Sequence, residues 1–159
     1  MGKSGGKWCI SERKVGIAAM LMGEYEHSVD AKGRLFVPAK LRSELGKTFV
    51  ITKGVDGCID VYPMDAWDRL QQSFAQQTLP KKKARDVSRF LFGNSMEVEP
   101  DKQGRILLPQ TLRKFAQIEG LATIIGTGTK AEIWDTKRYE AYSSEVESDV
   151  AAIVEDLEI

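Results

Sequence analysis

The stretch VDAKGRLFVP, Val29 to Pro38, decides the fold, because PDKQGRILLP, Pro100 to Pro109, writes it a second time. Both copies hold Asp, Gly, Arg and Pro in the same relative places. In DAKG and DKQG the aspartate side chain can accept a hydrogen bond from a backbone N–H two residues on. The glycine can take the positive φ that ends a type I turn with a bulge. Asp30 with Gly33, and Asp101 with Gly104, are therefore expected to define two tight turns between short strands.

An offset of 71 carries Asp30 onto Asp101, Gly33 onto Gly104, Arg34 onto Arg105, Pro38 onto Pro109 and Arg42 onto Arg113. Past one inserted residue the offset is 72, and Gly54 falls on Gly126, Val61 and Tyr62 on Ile133 and Trp134, and Trp67 on Tyr139. A repeat of this period is a duplicated structural unit. Each copy reads as a strand (24–29, 95–99), the turn, a second strand (RLFV, RILL), a short helix behind its proline, two further strands, and a closing helix. In the first copy Trp67, Leu70 and Phe74 share a helix face. In the second, Tyr139, Tyr142, Val146, Val150, Ile153 and Leu157 do so. Between them LPKKKARDVSRFLFG, 79–93, reads as a helix opened by Pro80 and stopped by Gly93. The expected organisation is an extension over 1–20, repeat one over 22–67, a helical connector over 68–93, repeat two over 94–139 and a C-terminal helix over 140–159. Met20 or Met22 would open the folded unit.

The 159 residues carry 23 basic and 23 acidic side chains. The balance hides a split: from Asp135 on there are two basic and eight acidic residues, so the preceding chain is basic. A basic body with an acidic tail is compatible with a polyanionic partner. Two cysteines, Cys9 and Cys58, without motif spacing, and one histidine, His27, make no metal quartet. Reduced thiols in a cytosolic protein are the expectation, with no cofactor. The run VGIAAMLM behind Arg13 and Lys14 is short for a signal peptide and lacks a cleavage site, and no apolar stretch is long enough to span a bilayer. MGKSGG misses the myristoylation pattern. GTGTK, 126–130, lacks Walker spacing and is followed by a strand, which argues against nucleotide binding. No partner for a catalytic His27 is nominated, and no small-molecule substrate or enzymatic activity is expected.

The turn needs its acid and its glycine, but not the arginine that follows. Arg34 and Arg105 are surplus. They can clasp Asp30 and Asp101 as bidentate pairs, or point outward to phosphate or a guanine edge, and a stiff loop presents its cations at lower entropic cost. With Lys32 and Lys102 they form the candidate DNA-binding set, Arg42 and Arg113 are secondary candidates, and Lys40 and Lys114 lie nearby. A basic hairpin fits a major groove as a two-stranded ribbon, and many weak copies on one frame bind firmly through effective concentration.

MGEYEHSVDAKGRLFVPAKLR, DKQGRILLPQTLRKFA and AEIWD together resemble the MraZ family of bacterial transcriptional regulators, over essentially Met20 to Ile159. The resemblance implies an α+β fold with a mainly β core: two AbrB-type swapped-hairpin units joined into a pseudo-twofold, β-barrel-like body with flanking helices. It also implies a ring-shaped homo-oligomer of eight or twelve chains in the cytoplasm, associated with the nucleoid. It further implies repression through short repeated DNA elements upstream of the division and cell-wall gene cluster, including the protein's own gene. Asp30, Gly33 and Arg34 fall on the family's first turn, and Asp101, Gly104 and Arg105 on the second. Residues 1–19 have no counterpart in it.

The remaining conspicuous residues read as structural. Cys58 lies in a strand, Trp67, Trp134 and Tyr139 belong to core or subunit interface, and KKKAR is a solvated helix face. An alternative of a different class stays open: a ring-forming scaffold whose partner is a protein, docked through the acidic C-terminal helix without direct DNA readout.

Overall fold

The structure is a computed structural model, and it describes residues 20–158. The extension expected over 1–20, with Cys9, lies outside the described residues apart from Met20. The elements are β1 (Glu24–Ser28), β2 (Arg34–Phe36), α1 (Ala39–Leu45), β3 (Phe49–Lys53), β4 (Ile59–Pro63), α2 (Met64–Ala75), α3 (Lys81–Val87), β5 (Met96–Val98), β6 (Arg105–Leu107), α4 (Gln110–Ala116), β7 (Leu121–Gly126), β8 (Ala131–Asp135) and α5 (Thr136–Asp156). The fold is α+β with mostly strands. Between the halves, α3 runs into a π-helical turn, Ser88–Phe92, before Gly93.

The prolines stand one residue before their helices rather than inside the first turn. Pro38, Pro80 and Pro109 hold extended backbone, and their carbonyls accept the first helical bonds, from Arg42, Ala84 and Arg113 N–H at 2.9, 3.0 and 3.0 Å. A ring-locked φ suits that place, and the missing N–H costs nothing there. Gly46 ends α1 at φ 90°. The matching position after α4 is Gln117, which takes φ 57° and is the one non-glycine residue with positive φ among the described residues.

All strand pairing is antiparallel. Six strands form one sheet in the order β1-β7-β8-β4-β3-β5, and β2 pairs with β6 in a separate ribbon. Exchanging each strand of one half for its counterpart reverses both orders onto themselves, which is the signature of an internal twofold. The register obeys it too: Arg34 faces Leu107 and Phe36 faces Arg105 across the ribbon. The first strand of each half leaves its own half, since β1 pairs with β7 and β5 with β3. The swapped arrangement expected from the sequence is thus present within one chain. The turns at Asp30 and Asp101 therefore join strands of different layers, and the two-stranded ribbon in the molecule is the composite β2–β6.

The layers enclose one apolar cluster. Leu35 and Ile106 enter from the ribbon, Phe49, Ile51, Ile59, Val61, Ile124 and Ile133 from the sheet, and Leu41, Leu45, Leu112 and Ala116 from α1 and α4. Backbone pairing does not join β1 to β5, so the barrel-like enclosure is completed by the ribbon and the two short helices rather than by hydrogen bonds around the sheet. Because α1 and α4 follow the ribbon strands directly, their burial fixes where both turns stand.

Candidate nucleic-acid interface

Each turn is built around a carboxylate that serves three donors. Asp30 Oδ1 accepts the backbone N–H groups of Lys32 and Arg34, both at 2.9 Å, and Oδ2 accepts Arg34 Nε–H at 2.7 Å. The Asp30 and Arg34 backbones close the loop, and Gly33 follows at φ 85°. The second turn repeats this. Asp101 Oδ1 takes Gln103 and Arg105 N–H at 2.9 Å, Oδ2 takes Arg105 Nε–H at 3.0 Å, and Gly104 has φ 81°. Of the two arrangements left open by the sequence, the clasp forms in both halves, through Nε rather than as a two-pronged fork, with Oδ1 already occupied by the backbone. The Nη ends of both arginines lie outside that contact. Arg34 and Arg105 keep 32% and 28% of their side-chain surface, while Lys32 and Lys102 are exposed at the tips.

These contacts also set the charge. The Arg34 backbone N–H, with its guanidinium and the Lys32 N–H, holds Asp30 below its ordinary 3.8 against the opposing effect of burial. Asp101 is lowered in the same way, first by the Arg105 N–H. Both acids are ionised at neutral pH, so each turn presents an ion pair with further cations at its rim.

Arg42 and Arg113 face the turns from below, each crossing to the other half. Arg113 Nε donates to Leu108 O at 2.9 Å, and its guanidinium lies against Gly33. Arg42 Nε donates to Val37 O at 2.8 Å, lies against Gly104, and stacks on Phe36 at 5.5 Å. Both are half-buried floors of the turns, and two matching clefts open beside them. One is lined by Val29, Asp30, Arg113 and Lys114, the other by Arg42, Lys47, Pro100 and Asp101. Lys40 and Lys114 are exposed on α1 and α4. Gly33 O accepts Leu108 N–H and Gly104 O accepts Val37 N–H, so the turns cap opposite ends of the ribbon. Four residues separate them along it, about 13 Å at roughly 3.3 Å per residue.

The other residues singled out in the sequence lie elsewhere. His27 packs edge-on against Phe36 at 5.0 Å. Trp67 and Trp134 are buried, with Tyr139 half-buried against Trp134. Lys81, Lys82, Lys83 and Arg85 are exposed on α3. The sequence reading missed one polar cluster at the centre of the sheet. Asp60 on β4 stands in register with Glu132 on β8, and Lys130 Nζ lies 2.9 Å from Asp60 and 3.4 Å from Glu132. Cys58 is buried and free, and its thiol donates to Asp60 at 3.6 Å. Cys58, Asp60 and Glu132 could converge on a cation, their ligand atoms lying within 4.8 Å of one another, but the Lys130 ammonium already fills that role. The offset of 72 that places Asp60 opposite Glu132 was the available signal.

The MraZ family model, described as "MraZ protein, putative antitoxin-like", matches the chain twice, over residues 20–90 and 91–157. The chain belongs to the MraZ family. A regulator of Caldanaerobacter subterraneus subsp. tengcongensis is 45% identical over 139 residues, covering 87% of this chain and 97% of the relative. One from Halothermothrix orenii is 44% identical over 143 residues, covering 88% of this chain and all of the relative. A third, from Acetivibrio thermocellus, is 43% identical over 138 residues. All three are named transcriptional regulator MraZ. The two MraZ matches meet inside the π-helical turn, and each contains one Asp-x-x-Gly-Arg turn. Among the described residues no helix is long and apolar enough to cross a membrane.

Proposed function

We propose that this chain is a DNA-binding transcriptional regulator and not an enzyme. In this reading it is a cytoplasmic, nucleoid-associated repressor of the division and cell-wall gene cluster, its own gene included. It acts as a ring homo-oligomer that sets many turns on repeated DNA elements at once. The observation that carries the reading is the pair of clasped turns, basic at the rim, at opposite ends of one ribbon, where four residues of strand set them about 13 Å apart. That span is comparable with a major groove about 12 Å wide. Lys32, Arg34, Lys102 and Arg105 supply the contacts. Arg42 and Arg113 act by fixing the turns, and their remaining guanidinium nitrogens line the clefts beside them. One ribbon offers few contacts, and an assembly multiplies them through effective concentration.

The test is a gel-shift titration on DNA upstream of the protein's own gene. Arg34→Ala and Arg105→Ala should each abolish the shift while the particle keeps its mass, and wild-type binding should fall steeply with salt as counterions are released. Unchanged affinity in the double variant would remove the turns from the mechanism. The acidic, apolar far end of α5 favours a second reading, a ring that holds a protein partner. Preparations that carry no nucleic acid and give no shift on that DNA would select it.

A further inference from the structure

The outward face of the β2–β6 ribbon carries two apolar residues among its arginines. Leu35 and Ile106 turn inward and are buried, so Arg34, Phe36, Arg105 and Leu107 share the opposite face. The register sets Leu107 directly across from Arg34, beside the first turn, and Phe36 across from Arg105, beside the second. Each clasped arginine thus has an apolar residue as its cross-strand partner.

Phe36 and Leu107 are counterparts under the internal twofold, but the molecule treats them differently. Phe36 is half-buried, with the His27 ring edge-on at 5.0 Å and the Arg42 guanidinium at 5.5 Å from its centroid. In the second half the offset of 71 puts Val98 where the first has His27. Leu107 keeps 54% of its surface in water. A lone exposed leucine is ordinary on a protein surface. This one lies on the face that presents the arginines, where a polar side chain would meet water and phosphate at lower cost.

The floor of a major groove offers one apolar group, the C5 methyl of thymine. Cross-strand partners have β-carbons about 5 Å apart, and successive bases along a strand rise by about 3.4 Å. With the Arg34 guanidinium at a base edge, Leu107 therefore falls within one or two base steps of it. We infer that Leu107 is a specificity-determining residue, packing on the C5 methyl of a thymine beside the base pair that Arg34 approaches. The inference rests on the DNA-binding reading above and adds to it a base recognised without a hydrogen bond. Phe36 is already covered, so the contact is made at one end of the ribbon only. It gives a nearly twofold ribbon a direction on the DNA.

The test uses full-length, nuclease-treated protein and DNA from upstream of its own gene, with thymines replaced one at a time by deoxyuridine. That exchange removes the methyl and leaves the hydrogen-bonding edges and phosphates as they were. In anisotropy titrations of the wild type, one thymine position should lose about fourfold in affinity, the worth of one buried methyl group. Leu107→Ala should lose at least as much on unmodified DNA and become indifferent to deoxyuridine at that position. Leu107→Met keeps the apolar reach and should keep the deoxyuridine effect. The salt dependence of Leu107→Ala should match the wild type, since no phosphate contact is removed. The side chain is exposed, so circular dichroism and particle mass should be unchanged in both variants. A wild type insensitive to every deoxyuridine, or a sensitivity that survives in Leu107→Ala, would overturn the Leu107 contact and leave the DNA reading standing. A wild type that fails to bind the unmodified DNA would sink that reading and the contact with it.

Discussion

Arg113 of the second half lies against Gly33 of the first: a β-carbon at Gly33 would stand 3.0 Å from its guanidinium. Arg42 and Gly104 have the same relationship at 2.9 Å. Each turn is thus floored by an arginine from the opposite half, itself fixed by a backbone carbonyl. The glycine is required twice, for positive φ and for room. Gly33→Ala should destabilise the protein by about 2 kcal/mol, combining the left-handed penalty with displacement of Arg113. Urea unfolding should show a lower midpoint at unchanged slope; an unchanged midpoint would mean the turn relaxes freely.

The clasped acids predict the acid limb of stability. Asp30 and Asp101 have folded values below the ordinary 3.8, so the unfolded chain binds protons first as pH falls. Their contribution is whole above that value and is lost as pH drops through the depressed ones. Stability should hold from neutral pH to about 5 and decline below about 4. The double variant Asp30→Asn, Asp101→Asn should show a shallower decline in pH-dependent urea titrations. An identical slope would mean the clasps are not formed in solution.

The seam between β4 and β8 depends on Lys130. Burial would pull its ammonium down, but Asp60, then Tyr62 and Glu132, outweigh that and hold it above the ordinary range. Lys130→Met would leave two acids facing each other and should cost about 3 kcal/mol. Adding Asp60→Asn and Glu132→Gln should recover most of it. Tyr62 gives a spectroscopic check. Burial, then Asp60, pushes it up to about 12, so one of four tyrosines should ionise late in an ultraviolet titration and move down in Asp60→Asn.

Gln117 sits at φ 57°, where the first half has Gly46 at φ 90°. Its side chain is exposed. Gln117→Gly should stabilise by about 0.5–1 kcal/mol, since relief of the left-handed penalty exceeds the entropy a glycine adds to the unfolded chain. A lower thermal midpoint would refute this.

What the sequence disclosed was local or periodic. Asp30 to Gly33 is a turn on chemistry alone, Ala39–Leu45 is bounded by Pro38 and Gly46, and the offset between Asp30 and Asp101 reveals the duplication without any contact being known. What stayed hidden required distant partners. Nothing near Arg42 says that it will lie under Gly104, since each half alone would suggest a solvent-facing cation. The Lys130 bridge arises only when β4 meets β8, and Cys58 was visible where Asp60 was not. The π-helical turn ends on Phe92, whose contacts with Trp67 and Phe74 come from distant sequence and do not register in helix propensity.

Because β1 pairs with β7, Glu24 has no lasting neighbour until Ile125 has been made. At roughly 5–20 residues per second, the ribosome needs about 5–20 s to cover that interval. Throughout it the nascent first half carries an unmatched strand and half a ribbon, competent to join any other half it meets. Polysomes, where several unfinished copies lie close together, are therefore where this architecture is most exposed to exchanging strands between chains rather than within one.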